Sequence, residues 1–154
     1  LFVALPSVAF ARLGETEAEL ISRFGAATSR AKEITLTQGK IVDFGVKLTF
    51  RQGDWTIECA IIDGRSVREV YHHPGDWTQD QFITVLTSNA QGAKWTDVSQ
   101  ESVRQLERRW RREDGATAVW QKGVAMAIAH PAYARAKANA EAKAKSDAGR
   151  IPKI

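Results

Sequence analysis

The chain has 154 residues, a length typical of one domain that can bury a hydrophobic core without a metal ion or a disulfide. Hydrophobic residues make up 44% of the sequence, which excludes a wholly disordered chain, and the single cysteine excludes an intramolecular disulfide. The formal net charge of +4 comes entirely from residues 131–154, which carry six basic and two acidic side chains, whereas the preceding residues are balanced. Because residues 1–130 are electrically balanced, this placement argues against nucleic-acid binding by that part of the chain.

Residues 1–11, Leu-Phe-Val-Ala-Leu-Pro-Ser-Val-Ala-Phe-Ala, combine an apolar run with a helix breaker at Pro6. The final Ala-Phe-Ala has small residues at the two positions that a signal peptidase recognises. We therefore predict that this segment is the end of a secretory signal, that the mature chain begins at Arg12, and that the protein is periplasmic or secreted. The alternative is an apolar segment that packs on the core.

The first predicted helix begins at Thr16 and ends at Gly25. Thr16 and Glu19 have the spacing of a capping box, in which the side chain of each residue accepts a backbone N–H of the other. A glycine after the last turn is typical of a helix end. Apolar residues at helical spacing give the helix one face to bury. They are Leu20, Ile21 and Phe24.

Alternation of apolar and polar residues predicts an antiparallel meander after this helix. Residues 33–37 are a short candidate strand, and residues 41–51 form the clearest strand, with five apolar side chains on one face. That face consists of Val42, Phe44, Val46, Leu48 and Phe50. A hairpin from Trp55 to Tyr71 follows and turns at Asp63-Gly64.

The loop length of this hairpin decides which side chains share its buried face. A two-residue loop would place Arg68 opposite Cys59. A three-residue loop instead places Val67 and Tyr71 on the same face as Ile57 and Cys59, so we predict the longer loop. Cys59 is then a core residue, because it lies on the apolar face and no local cation makes it a nucleophile.

A second helix and a second set of strands repeat this order. Thr78 and Gln81 form another capping box, Trp77 can contact Phe82, and Gly92 is the predicted end of the helix. A second hairpin with a three-residue loop at Asp114-Gly115 would place four apolar residues on one face. They are Leu106, Trp110, Ala118 and Trp120, and a last strand with Val124, Met126 and Ile128 follows a turn at Lys122-Gly123.

These patterns predict an α+β fold in which short helices pack on an antiparallel meander. Residues 12–130 form the single domain, with two similar halves at residues 12–73 and 77–129. A basic helical tail occupies residues 131–154, and Pro131 fits its first helical position. Residues 132–148 are rich in alanine and lysine with Tyr133 as the one large apolar side chain, which predicts a surface helix or a partly frayed tail.

The stretch from Leu13 to Gly25 resembles a motif of small bacterial envelope proteins. The residues that carry the resemblance are Gly14, Thr16, Glu19-Leu20 and Gly25. The motif occurs in the SmpA/OmlA outer-membrane assembly proteins and in the related fold of the β-lactamase inhibitor protein, a tandem of two helix-and-sheet units. The resemblance implies an α+β domain, an envelope location and no known chemistry. Two features depart from the motif: Ala26 stands where proline is usual, and the lipobox cysteine of the assembly lipoproteins is absent from the sequence.

His72, His73 and Asp76 form the one histidine–carboxylate cluster of the sequence. Adjacent histidines at a strand end point in opposite directions, so they do not readily share one metal ion. Zinc sites need three or four ligands, and the third histidine, His130, lies far along the chain. We therefore predict no metal and no cofactor, and these residues are only weak candidates for metal binding or acid–base chemistry.

Arginines surround Trp110 and could bind an anionic surface. On a strand, Arg109 and Arg111 share one face, whereas Arg108 and Arg112 flank Trp110 on the other. The alternative is a solvated strand face balanced by nearby carboxylates. The candidate binding residues are Trp95, Arg109, Trp110, Arg111 and Trp120.

We predict an exported, non-enzymatic protein-binding or envelope-assembly module whose partner is another envelope or secreted protein. One alternative is an envelope hydrolase or metal-dependent enzyme that uses His72, His73 and Asp76. Another is a peripheral binder of anionic membrane surfaces through the basic tail. An enzyme is less favoured, because the sequence has no glycine-rich phosphate loop, no G-x-S-x-G elbow and no CxxC pair. No nucleic-acid partner is predicted.

Overall fold

The computed structural model describes residues 12–150, which form an α+β domain, as predicted. The predicted signal segment, residues 1–11, and the last four residues of the tail lie outside the described residues. The elements are α1 (Glu17–Phe24), β1 (Ser29–Thr37), β2 (Lys40–Gln52), β3 (Trp55–Ile62), β4 (Arg65–His72), α2 (Gln79–Ser88), β5 (Trp95–Asp97), β6 (Glu107–Arg112), β7 (Thr117–Gln121), β8 (Ala125–Ala129) and α3 (Pro131–Ala148). A 3₁₀ turn, Glu101–Val103, lies between β5 and β6.

The eight strands form one antiparallel sheet in the order β1-β2-β3-β4-β8-β7-β6-β5. A helix followed by a four-stranded meander therefore occurs twice, which is the plan predicted for the two halves. The meanders join where β4 pairs with β8, and Tyr71 lies opposite Met126 at this junction. The result is a continuous sheet with two long faces.

The loop of the β3–β4 hairpin has two residues, so the predicted three-residue loop is wrong. Asp63 and Gly64 have φ values of 51° and 78°, the left-handed conformation that tight hairpin turns require. A β-bulge then leaves Val67 without a direct partner on β3 and shifts the pairing by one residue. Because of this shift Tyr71 lies opposite Ile57, so the predicted buried face of the hairpin forms.

The loop of the β6–β7 hairpin has three residues, as predicted. The backbone N–H of Arg112 donates to the carbonyl of Ala116 at 2.8 Å, and Trp110 lies opposite Ala118. Trp110, Ala118 and Trp120 are buried, which confirms their shared face. Leu106 precedes β6 and is 62% exposed, so its assignment to that face is wrong.

Helices α1 and α2 pack on one face of the sheet and enclose the core with it. Both predicted capping boxes are present, at Thr16 and at Thr78. Helix α2 ends at Ser88 rather than at Gly92. The ring of Phe82 contacts those of Trp77 and Trp120 at centroid distances of 5.5 and 5.1 Å. Burial of one such aromatic side chain contributes about 2–3 kcal/mol. The core consists mainly of Leu20, Leu48, Phe50, Trp55, Ile57, Cys59, Tyr71, Phe82, Val85, Trp110, Trp120, Met126 and Ile128.

Helix α3 packs on the opposite face of the sheet, against the β1–β2 hairpin. The hydroxyl of Tyr133 donates to Glu33 at 2.7 Å, and its ring lies 5.6 Å from that of Phe44. The pairing of β1 with β2 shifts between Glu33 and Ile34, and this irregularity turns Phe44 toward α3. The prediction that Phe44 shares one face with Leu48 is therefore wrong. The predicted surface helix is present, and it is docked on the sheet rather than frayed.

A buried polar cluster, the junction network, lies where the two halves meet the segment before α1. The carboxylate of Glu69 accepts hydrogen bonds from Ser66 at 3.0 Å and from Tyr71 at 2.5 Å. The side chain of Asn89 donates to the Tyr71 hydroxyl at 3.1 Å and accepts the backbone N–H of Leu13 at 3.1 Å. Complete burial raises the pKa of Glu69 to about 7, although the hydrogen bonds from Tyr71 and Ser66 act to lower it.

Candidate functional site

The histidine cluster predicted as a weak catalytic or metal site is gathered only in part, because His72 and His73 line one cavity and Asp76 lies outside it. His72 lies 3.1 Å from the Glu58 carboxylate on the neighbouring strand. The ring of His73 instead packs on Trp55 at 4.6 Å, and Asp76 is exposed in the loop that follows. Within residues 12–150, no group of three or more His, Cys, Asp or Glu side chains could hold a metal ion. The hydrolase alternative stays a prediction.

The tryptophans predicted to form a binding surface belong mainly to the core, and this is a correction of the sequence prediction. Trp110 and Trp120 are only 6% and 7% exposed, because alternation along β6 and β7 directs both rings toward α2. Trp95 is partly buried, and its indole N–H donates to the carbonyl of Leu86 at 2.8 Å. These three side chains cannot form an exposed aromatic patch.

Arg108 and Arg112 flank Trp110 on the inner face, as their spacing predicts, and both are structural. The guanidinium of Arg108 lies 5.0 Å from the Trp110 ring centroid and pairs with Asp97 at 3.1 Å. Arg112 is buried, and its Nε and Nη2 donate to Asp114 at 2.7 and 2.6 Å. These hydrogen bonds lower the pKa of Asp114 to about 2. Because both arginines are already paired within the chain, they have little capacity for a partner.

Arg109 and Arg111 lie on the opposite, outer face, and both are exposed. The register of the sheet places Arg109 opposite Val119, Val119 opposite Ala127, and Ala127 opposite Val70. One row of outward side chains therefore runs across four strands from a cationic end to an apolar centre. The next row runs Arg111, Thr117, Ala129 and Arg68.

We call this shallow depression on the outer face of β4, β8, β7 and β6 the outer trough. Its central cavity has a volume of about 380 Å³, and small side chains such as Ala127 and Ala129 form its floor. Helices α1 and α2 lie on the other face of the sheet, and α3 packs on β1, β2 and β4. Glu107 pairs with Arg109, whereas Arg111 forms no ion pair within the described part of the chain. The trough is therefore an open sheet face with a positively charged rim.

A second exposed surface lies at the tip of the β1–β2 hairpin. Leu36 and Ile41 are directly opposite each other and are 70% and 72% exposed, and Ile34 lies next to them on the same face. Large aliphatic side chains that cluster in solvent often mark an interaction surface. This tip and the outer trough are separate, so variants can distinguish them.

The basic side chains of α3 are also exposed, among them Lys137, Lys143 and Lys145. The face of the helix that contacts the sheet uses Tyr133 and Glu141 instead. None of the helices in residues 12–150 is long and apolar enough to cross a membrane. Binding of α3 to an anionic membrane surface stays a prediction.

A scan of protein-family models and searches of curated proteins and of solved structures find no match to this chain. The resemblance to the SmpA/OmlA proteins and to the β-lactamase inhibitor fold therefore stays a prediction. Any functional assignment has to come from the surfaces that the chain itself presents.

Sequence reasoning identified the charged rim of the outer trough and missed its floor. Val119 and Ala127 meet across the β7–β8 hairpin, whereas Val70 lies about fifty residues earlier and reaches them only because β4 pairs with β8. Sequence reasoning also missed Glu69. Its signal was a carboxylate between Val67 and Tyr71 in an alternating apolar pattern, the position of an inward-facing residue.

Proposed function

We propose that this chain is an exported, non-enzymatic protein-binding module that binds an acidic segment of another envelope or secreted protein in the outer trough. The observation that carries the proposal is the row that runs from the exposed Arg109 through the half-buried Val119 and Ala127 to the buried Val70. It joins an apolar sheet face, which α3 borders at β4, to a cationic rim. The motif at residues 13–25 and the apolar segment before it favour the envelope location.

The two halves of the sheet differ in what packs on their outer faces, and this difference also supports the trough as a docking surface. On the first half, α3 occupies the outer face of the sheet and buries Glu33 and Thr35. The corresponding face of the second half has side chains small enough for a partner helix or strand to approach closely. Arg68, Arg109 and Arg111 at its margin favour an acidic segment and disfavour a basic one such as α3.

A pull-down from envelope extract tests the proposal with the full chain as bait. The Arg109→Glu/Arg111→Glu variant reverses both charges at the rim, and Lys143→Glu/Lys145→Glu makes the same charge change on α3, away from the trough. We expect a captured protein that is lost with the first variant, retained with the second, and released as salt concentration rises.

A third variant, Leu36→Glu, tests the hairpin tip. Its side chain is exposed, so the fold should tolerate the change. Loss of capture with Leu36→Glu but not with the arginine variant would assign binding to the tip and overturn the trough. Capture that all variants retain, or the absence of any specific capture, would contradict the proposed function.

A further inference from the structure

A second concave region, which we call the end cleft, opens at the end of the sheet where both halves meet α3. It has a volume of about 620 Å³, within the range of small-molecule sites. Its walls come from the segment before α1, the β3–β4 turn, the loop after α2, the β6–β7 loop and the first turns of α3. The end cleft and the cavity of the outer trough share no lining residue.

Hydrogen bonds that extend from the junction network to Arg112 and Gln91 join three of the walls of the end cleft. The backbone N–H of Leu13 donates to the side chain of Asn89, and the backbone carbonyl of Asn89 accepts from Arg112 at 2.5 Å. Arg112 also donates to the side chain of Gln91 at 3.0 Å. Three segments that are distant in sequence are thus joined at one place. A ligand would meet walls that are already ordered, and it would lose little free energy in organising them.

The charged groups of the cleft leave donors available for an anion. Arg65 uses one N–H on the carbonyl of Gly14 at 2.8 Å and has four more. Arg135, on α3, makes no hydrogen bond or ion pair within residues 12–150. Arg112 and Asp114 neutralise each other. Arg65 and Arg135 together with Asp63 then give the cleft a net charge of +1. This charge favours a ligand with a single negative charge.

The rest of the lining combines an apolar patch with four polar side chains, which are Ser66, Gln91, His130 and Asn139. Leu13 and Val67 are buried at the inner end, and Ala132 and Ala136 present small side chains from α3. An inorganic ion would leave this surface without a partner, whereas an organic acid could place its body against it. Guanidinium groups also match the planar carboxylate in a two-point hydrogen bond.

We propose that the end cleft binds a small organic monocarboxylate. Its carboxylate accepts hydrogen bonds from Arg65 and Arg135, and its apolar body contacts Val67, Ala132 and Ala136. No bond is made or broken, so the site is one of binding rather than of catalysis. It requires neither a metal ion nor a cofactor.

Titration of the ¹⁵N-labelled full chain with benzoate, followed by NMR, tests this site. We expect saturable shifts at amides around the cleft, such as those of Gly14 and Ala132, with weaker effects of benzamide and inorganic phosphate at equal concentration. Arg135→Gln should raise the dissociation constant about tenfold, since it removes a charge-assisted hydrogen bond. Lys143→Gln removes one positive charge from the same helix outside the cleft and should change the constant less than about twofold.

Ala136→Leu provides a steric test that leaves both arginines in place. It fills the cleft from a helical position that tolerates leucine, so circular dichroism should be unchanged while benzoate binding is lost. Unsaturable or scattered shifts, equal binding of benzamide, tighter binding of phosphate, or an unchanged constant in Arg135→Gln would each overturn the proposal. Loss of partner capture in the trough variants would leave it unaffected.

Discussion

Replacement of Glu69 by glutamine should abolish most of the pH dependence of stability between pH 5 and pH 8. Glu69 is completely buried, and its pKa is raised from the usual 4.5 to about 7. The folded protein therefore binds this proton more tightly than the unfolded chain does. The resulting stabilisation is fully present below pH 4.5 and is lost as pH rises through 7.

The size of the effect follows from the two pKa values. Their difference corresponds to about 3 kcal/mol of unfolding free energy in total, of which about 2.5 kcal/mol falls between pH 5 and pH 8. Glutamine resembles the protonated acid in shape and charge. Its carbonyl can still accept the Tyr71 hydroxyl, and its amide can donate to Ser66. We thus expect Glu69→Gln to be more stable than the wild type by roughly 2 kcal/mol at pH 8 and to be similar to it at pH 5.

Urea unfolding, followed by tryptophan fluorescence at several pH values, measures this difference. The informative quantity is the free-energy difference between the two proteins at each pH. Glu101→Gln is the matched control, because that carboxyl is 91% exposed and its removal should leave the wild-type slope intact. A difference between Glu69→Gln and the wild type that stays constant from pH 5 to pH 8 would refute the reasoning.

Two further substitutions test the packing, both by urea unfolding. Arg112→Gln should cost about 3 kcal/mol, because it leaves the buried carbonyl of Asn89 without its charged donor, and a cost below about 1 kcal/mol would contradict the structural role of this arginine. Gly45→Ala should cost about 1–3 kcal/mol, because a Cβ at this position would lie 2.7 Å from the carbonyl oxygen of Ile61. Gly149→Ala meets no such contact and should be within about 0.5 kcal/mol of the wild type, so equal costs at both glycines would argue against the close approach at Gly45.

Features set by neighbouring residues were predictable from the sequence. The capping boxes at Thr16 and Thr78 depend on residues three apart, and both formed as predicted. The three-residue loop of the second hairpin was also correct. The bulge at Val67 was not predictable, because alternation records which side chains face inward and not where an extra residue is inserted.

The candidate site could be predicted only in part. Period-two alternation correctly predicts that the side chains of Arg109 and Arg111 lie on one face of the sheet and that of Trp110 on the other. The same alternation places Trp110 in the core, where it cannot contact a partner. The floor of the outer trough depends on the pairing of β4 with β8. That contact joins Val70 to Ala127, and no local signal in either segment specifies the other.

The pairing of β4 with β8 also constrains the order in which the chain can fold. Synthesis completes the first meander well before β8 emerges, and until then the outer edge of β4 has no neighbour to satisfy its backbone groups. The strand that later covers this edge, β8, is the last of the sheet to be made. The late arrival of β8 makes closure of the sheet a long-range step, and such steps slow folding relative to local hairpin formation.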